Sequence, residues 1–118
     1  MASATLDEGL SELRGRVIIS VEFVQDYMQL RFDGPVLTTY TLPTVSAKGT
    51  VTVFGDPEYR NRICAEIGRE VQAHSVDDDA VSIQFTDGTE FRISLRDEDY
   101  RGPEALEFKS DSGQVWIA

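Results

Sequence analysis

Apolar residues return at every second position along much of this chain, and the phase of that alternation predicts its strands. Val17, Ile19, Val21 and Phe23 point one way while Ser20 and Glu22 point the other, a half-buried strand over 17–23. Met28, Leu30 and Phe32 predict a second strand over 27–32, and residues 36–42 a third. Val81, Ile83 and Phe85, then Phe91, Ile93 and Leu95, predict two more, preceded by a weaker strand over 70–76. Leu106 and Phe108 lead into a closing hairpin over 104–118, with Val115 and Ile117 on the return. A four-residue loop at 110–113 sets those four side chains on one face and turns Trp116 away from it.

Two stretches have helical period instead. Leu6, Leu10 and Leu13 share a face over residues 5–14. Thr5 and Glu8 have the spacing of a capping box, and Gly15 stops the helix. Tyr59, Ile63 and Ile67 repeat at four-residue steps in a second helix, with Asp56 as N-cap, Pro57 at its first position and Gly68 at its end. Cys64 lies among these apolar residues and is expected to be a small buried hydrophobe.

Facing residues of an antiparallel pair share a face, so the turns can be derived. A two-residue Asp87-Gly88 loop would mix faces. A three-residue loop, Thr86-Asp87-Gly88, sets Ile83 against Phe91 and Val81 against Ile93, with Gly88 left-handed in a bulge. The first hairpin leaves two registers open, with Leu30 facing Leu37 or Thr38.

The same order of elements occurs twice. At an offset of 53, Gly15-Arg16 falls on Gly68-Arg69, Asp26 on Asp79, and Met28, Leu30 and Phe32 on Val81, Ile83 and Phe85. Each run meets an Asp-Gly pair, Asp33-Gly34 and Asp87-Gly88; Tyr40 and Leu42 then fall on Ile93 and Leu95. Shared pattern outweighs shared letters. The expectation is an α+β domain: antiparallel sheet built from β-hairpins, two helices, and an approximate internal duplication. Its halves are 5–42 and 57–95, its joint is 43–56, and its C-terminal hairpin is 104–118. The joint offers one short edge strand over 51–54.

One domain suits 118 residues, and a chain of this length buries enough surface to fold without disulfide or metal. A single cysteine, no basic-then-apolar leader and no long apolar run predict a cytoplasmic protein off the membrane. The net charge is −10 and uneven: residues 1–69 carry 9 acids and 7 bases, residues 70–118 carry 12 acids and 4 bases. That balance repels phosphate backbones and argues against nucleic acid; it favours a basic protein partner or serves solubility alone.

Catalytic signatures are absent. There is no glycine-rich phosphate loop, no His-Glu-x-x-His and no Cys-x-x-Cys. Cys64 and His74 lie on different elements with nothing to orient one toward the other. Asp77, Asp78, Asp79, Asp97, Glu98 and Asp99 offer oxygen ligands, but not at EF-hand spacing, and acids on turns are usually solvated. No metal and no cofactor are expected. The densest run of functional side chains is 96–104. Its Arg96, Asp99, Tyr100, Arg101 and Glu104 are the candidate binding residues, set against a plain structural turn at Gly102-Pro103 with local ion pairs.

Several stretches resemble a family of small bacterial proteins of unknown function. They are Val21 through Leu30; Tyr59-Arg60 with Ile63-Cys64 and Ile67-Gly68-Arg69; Phe85 with Asp87-Gly88; Ile93 through Arg96; and Glu98-Asp99-Tyr100 with Gly102 through Ala105. The resemblance implies a bacterial cytoplasmic origin and lends no catalytic residues. The function expected is a non-enzymatic binding protein, such as an acidic inhibitor of a basic partner; the alternative is a small-ligand binder or enzyme using 96–104. An open strand edge at Val115-Trp116-Ile117 predicts a homodimer.

Overall fold

A computed structural model describes residues 5–118. Its architecture is two antiparallel five-stranded sheets with short helical segments. The strands are β1 (Ile18–Phe23), β2 (Met28–Phe32), β3 (Val36–Thr39), β4 (Thr44–Ala47), β5 (Thr50–Thr52), β6 (Val71–Val76), β7 (Ala80–Phe85), β8 (Glu90–Ser94), β9 (Leu106–Lys109) and β10 (Val115–Ile117). The first sheet runs β1-β2-β3-β9-β10 and the second β5-β4-β8-β7-β6. Inward residues of both sheets, among them Leu30, Leu37 and Phe108 from one and Val45, Ile83 and Phe91 from the other, join a single hydrophobic cluster. No helix is long and apolar enough to cross a membrane among the described residues.

The strands β1–β2 and β6–β7 pair alike. Ile18 faces Phe32, Val21 faces Leu30 and Phe23 faces Met28. At the same offset of 53, Val71 faces Phe85, His74 faces Ile83 and Val76 faces Val81. Each first strand carries its irregularity at the same place, between Ile18 and Ser20 and between Val71 and Ala73. Beyond the turns the offset becomes 54, because Met28 faces Thr39 while Val81 faces Ile93. Tyr40 therefore matches Ser94, not Ile93. The extra residue is in the loop. Phe32 donates to Pro35 across the two-residue Asp33-Gly34 turn, whereas Phe85 donates to Thr89 across Thr86-Asp87-Gly88. The longer loop has its left-handed Gly88 (φ +89°) and sets Ile83 against Phe91, as the face argument requires. In the first hairpin Leu30 faces Leu37.

The terminal hairpin of each segment crosses to the other sheet. β4–β5 follows β3 in sequence but pairs with β8, and β9–β10 follows β8 but pairs with β3. The helices bridge in the same crossed sense. Helix α1 (Leu6–Leu10) touches β10 and β6; helix α2 (Tyr59–Cys64) touches β1 and β4.

Several expectations need correction. The first helix is one α-helical stretch followed by a 3-10 turn at Ser11–Leu13, although its Thr5–Glu8 capping box is present on both sides. The second helix, expected over 57–67, is confined to Tyr59–Cys64. Its N-cap is Glu58, and the Asp56 carboxylate instead accepts from the Val53 N–H at 3.0 Å. Tyr59 and Ile63 are buried; Cys64, one step round the helix, is exposed, and Ile67 is 45% exposed. The irregularity in β1 buries Ile18 and turns Ile19 outward, so the strand does not alternate from Val17. The joint holds a full hairpin, β4–β5. It turns at Lys48-Gly49 with both residues at positive φ (52° and 80°), the form a two-residue hairpin loop prefers.

The last hairpin also differs. Its loop is Asp111-Ser112-Gly113, closed by Ser110 N–H to Gln114 and Gly113 N–H to Ser110, the same turn as at Gly88. Trp116 therefore faces Phe108, with ring centroids 5.8 Å apart, and Val115 and Ile117 point outward. Gly9 of α1 lies under the indole, where a Cβ would come within 2.8 Å of it.

Candidate functional site

Segment 96–104 connects β8 to β9 and divides its candidate residues between two hollows. Its start is held locally. The Arg96 guanidinium pairs with the Glu98 carboxylate, the Asp99 carboxylate accepts from Ser94 Oγ at 2.6 Å, and a 3-10 turn spans Asp97–Asp99. Arg96 and Asp99 line a cavity of about 380 Å³ with Asp79, Arg92 and Ser94. Arg101 and Glu104 line a different cavity, of about 560 Å³, with Asp26, Tyr27 and Tyr40. Tyr100 is half-buried between the two groups and lines neither cavity. The five predicted residues thus do not converge on one site.

The sequence reading missed the aromatic wall of the larger cavity. Tyr27 precedes β2 and Tyr40 follows β3, so the register that pairs Met28 with Thr39 brings them side by side. Their ring centroids are 5.7 Å apart, tilted by 46°. The Tyr40 and Thr41 N–H groups both donate to the Ala105 carbonyl, at 2.7 and 3.0 Å, which ties the end of β3 to the start of β9. Burial raises the Tyr40 hydroxyl pKa, and the carboxylates of Glu107 and Glu104 and the Tyr27 hydroxyl add to the effect. The lining sets the two acids Asp26 and Glu104 against the one base Arg101.

The two cavities occupy matching places. Asp26 matches Asp79 at the offset of 53, and Tyr40 matches Ser94 at the offset of 54. Their chemistry differs. One has two tyrosines, two acids and Arg101; the other has Arg92 and Arg96 against Asp79 and Asp99.

A second feature the sequence did not reveal is a buried carboxyl. Glu66 follows α2 and is 3% exposed, at the place where the first segment has the buried Leu13. Its Oε1 has no hydrogen-bond partner. Burial lifts its pKa to about 7, helped by the charge of Asp87 and a hydrogen bond to it; Arg69 and Thr89 pull the other way. For Asp87, burial acts upward but is outweighed. The Thr89 N–H (3.1 Å), the Glu66 carboxyl, the Thr89 hydroxyl and Arg69 hold it below the usual carboxylate range. Of the two carboxyls, Glu66 is therefore the one that holds a proton below neutral pH, while Asp87 stays ionised.

The remaining candidates are structural. Asp77 accepts from the N–H groups of Asp79 (2.8 Å) and Ala80 (2.9 Å), and these bonds lower its pKa; the carboxylate is occupied in shaping the turn. No metal-ligating cluster occurs among the described residues. His74 Nε2 lies 2.9 Å from Asp7 Oδ1, pinning α1 to β6.

Comparison with known proteins gives no family to lean on. No family model, no curated protein and no solved structure matches this chain.

Proposed function

We propose that this chain is a non-enzymatic cytoplasmic protein that binds a basic partner through its acidic surface, on a scaffold made of two copies of one unit. The duplication is supported by the matched strand pairs, the matched irregularities and the crossed hairpins. The observation that carries the binding reading is the acid excess of residues 70–118 together with a cavity beside Asp26, Glu104 and Glu107. Electrostatic attraction of this kind speeds encounter with a cationic partner and fades with salt.

The test is fluorescence anisotropy with a labelled arginine-only peptide and its neutral citrulline counterpart. The arginine peptide is expected to bind at low salt and to weaken at least about tenfold at high salt. Equal binding of both peptides, or of neither, sinks the reading.

A small-ligand binder or enzyme at 96–104 is the second reading, and the larger cavity favours it. Self-association also belongs to the proposal, but through a different surface than Trp116. Val115 and Ile117 are 45% and 57% exposed on the edge strand β10. Light scattering across protein concentration should report a dimer that Ile117→Lys reduces to monomer.

A further inference from the structure

We infer that the Tyr27–Tyr40 cavity receives a guanidinium or ammonium group carried on a side chain of the basic partner. This rests on the basic-partner reading and assigns it a place. Three observations converge on a cation.

The first is charge. The carboxylates of Asp26 and Glu104 line the cavity, and Glu107 is close enough to act on Tyr40; Arg101 is the lone base in the lining. A cation entering there meets two lining acids against one base, with Glu107 also acting on Tyr40.

The second is the aromatic wall. Tyrosine ring faces attract cations, and guanidinium groups most often. The chain already makes this contact nearby, with the Arg60 guanidinium 5.5 Å from the Phe23 ring centroid. Phe23, Arg60 and Tyr27 line a neighbouring hollow of about 190 Å³, so Tyr27 belongs both to the hollow with this cation–aromatic contact and to the larger cavity.

The third is the contrast between the two matching cavities. Asp26 and Asp79 are common to both places, consistent with a role in the scaffold. The tyrosines are not: Ala80 and Ser94 stand at the places of Tyr27 and Tyr40, and the second cavity balances its two acids with Arg92 and Arg96. The tyrosines are therefore added to one side and not demanded by the fold, and that side sets one arginine, not two, against its two acids. At about 560 Å³ the hollow has room for a long side chain.

The experiment is an NMR titration of the full chain, isotope-labelled, with the arginine-only peptide, its citrulline counterpart, and arginine amide as a free small cation. The expected result is saturable shifts at Tyr27, Tyr40 and Glu104 with the arginine peptide and none with citrulline. Tyr40→Leu and Glu104→Gln should each weaken binding about tenfold. Tyr40→Phe, which keeps the ring, should retain it, and Ser94→Ala in the matching cavity should change nothing. Arginine peptide that binds with shifts spread over the acidic surface, unaffected by Tyr40→Leu and Glu104→Gln, overturns the cavity assignment and leaves the basic-partner reading standing. An arginine peptide that does not bind at all overturns both. Free arginine amide that binds as tightly as the peptide overturns the partner side chain as the source and makes the site one for a small cation.

Discussion

Arg69 holds Asp87 through Nε at 3.3 Å, and Arg16 holds the corresponding turn by donating Nη1 to the Asp33 carbonyl at 2.6 Å. Each arginine follows a left-handed glycine, Gly68 or Gly15, that directs the chain from a helical segment into the first strand of its sheet. The Gly-Arg and Asp-Gly pairs that repeat in the sequence are therefore the two ends of one contact, made once in each segment. The partners differ in kind. Arg16 also meets Glu12 (3.4 Å) and Asp111 (3.9 Å), while Arg69 neighbours a carboxyl pair with Glu66 in it.

That carboxyl makes stability depend on pH. The folded pKa of Glu66, about 7, lies above its ordinary value of 4.5. Between those values the folded state holds a proton that the unfolded state has released, so stability falls as pH rises through the window and levels off above pH 7. The whole effect amounts to at most about 3 kcal/mol. Glu66→Leu, which reproduces Leu13, is expected to flatten this dependence and to raise stability above pH 7. Urea unfolding at several pH values checks both; a wild-type curve that rises between pH 5 and 7 refutes the assignment.

Cys64 should react in the native state. Tyr59 and Ile63 occupy the buried face of α2 and leave the thiol outside. One equivalent of Ellman's reagent should be consumed without denaturant, and Cys64→Ser should change stability by less than about 0.5 kcal/mol. Reaction only after unfolding would return the thiol to the core.

Gly9→Ala reverses the usual helix rule. An exposed glycine in a helix gains about 1 kcal/mol on replacement by alanine. Here the new methyl would lie 2.8 Å from the Trp116 indole, so a loss of about 1–3 kcal/mol is expected. The tryptophan emission should shift in the same variant, because the ring has to move.

Gly88→Val isolates backbone strain from crowding. A Cβ at this position meets nothing within 4 Å, yet φ is +89°. Thermal denaturation should register a loss of more than about 1 kcal/mol. A neutral result would show that the turn can adopt another form.

Period-two patterning was legible wherever one face is fully buried. Met28, Leu30, Phe32, Val81, Ile83 and Phe85 all lie inward as read. The alternation is lost where a strand is irregular, as at Ile18–Ile19, and is too sparse to read where a strand has one core residue, as β4 has only Val45. Trp116 shows a different failure. The reasoning that selected a three-residue turn at Gly88 applies equally to Asp111-Ser112-Gly113, and would have set Trp116 against Phe108. The candidate site was half legible. Arg101 and Glu104 were in view, but Tyr27 and Tyr40 meet only through the register of a hairpin the pattern left open. Glu66 gave no signal alone; only its alignment with Leu13 marks it as a charge in an apolar place.

The crossing of the terminal hairpins governs how the chain can be made. The edge of β3 is completed by Leu106–Lys109, which follow it by some seventy residues. Until they leave the ribosome, the first sheet has three strands and an unpaired edge at Val36–Thr39. Neither sheet is a stage that can be finished and set aside, and pairing across some seventy residues closes the structure late and slowly. The nascent first half is thus the species most exposed to wrong pairing along that open edge.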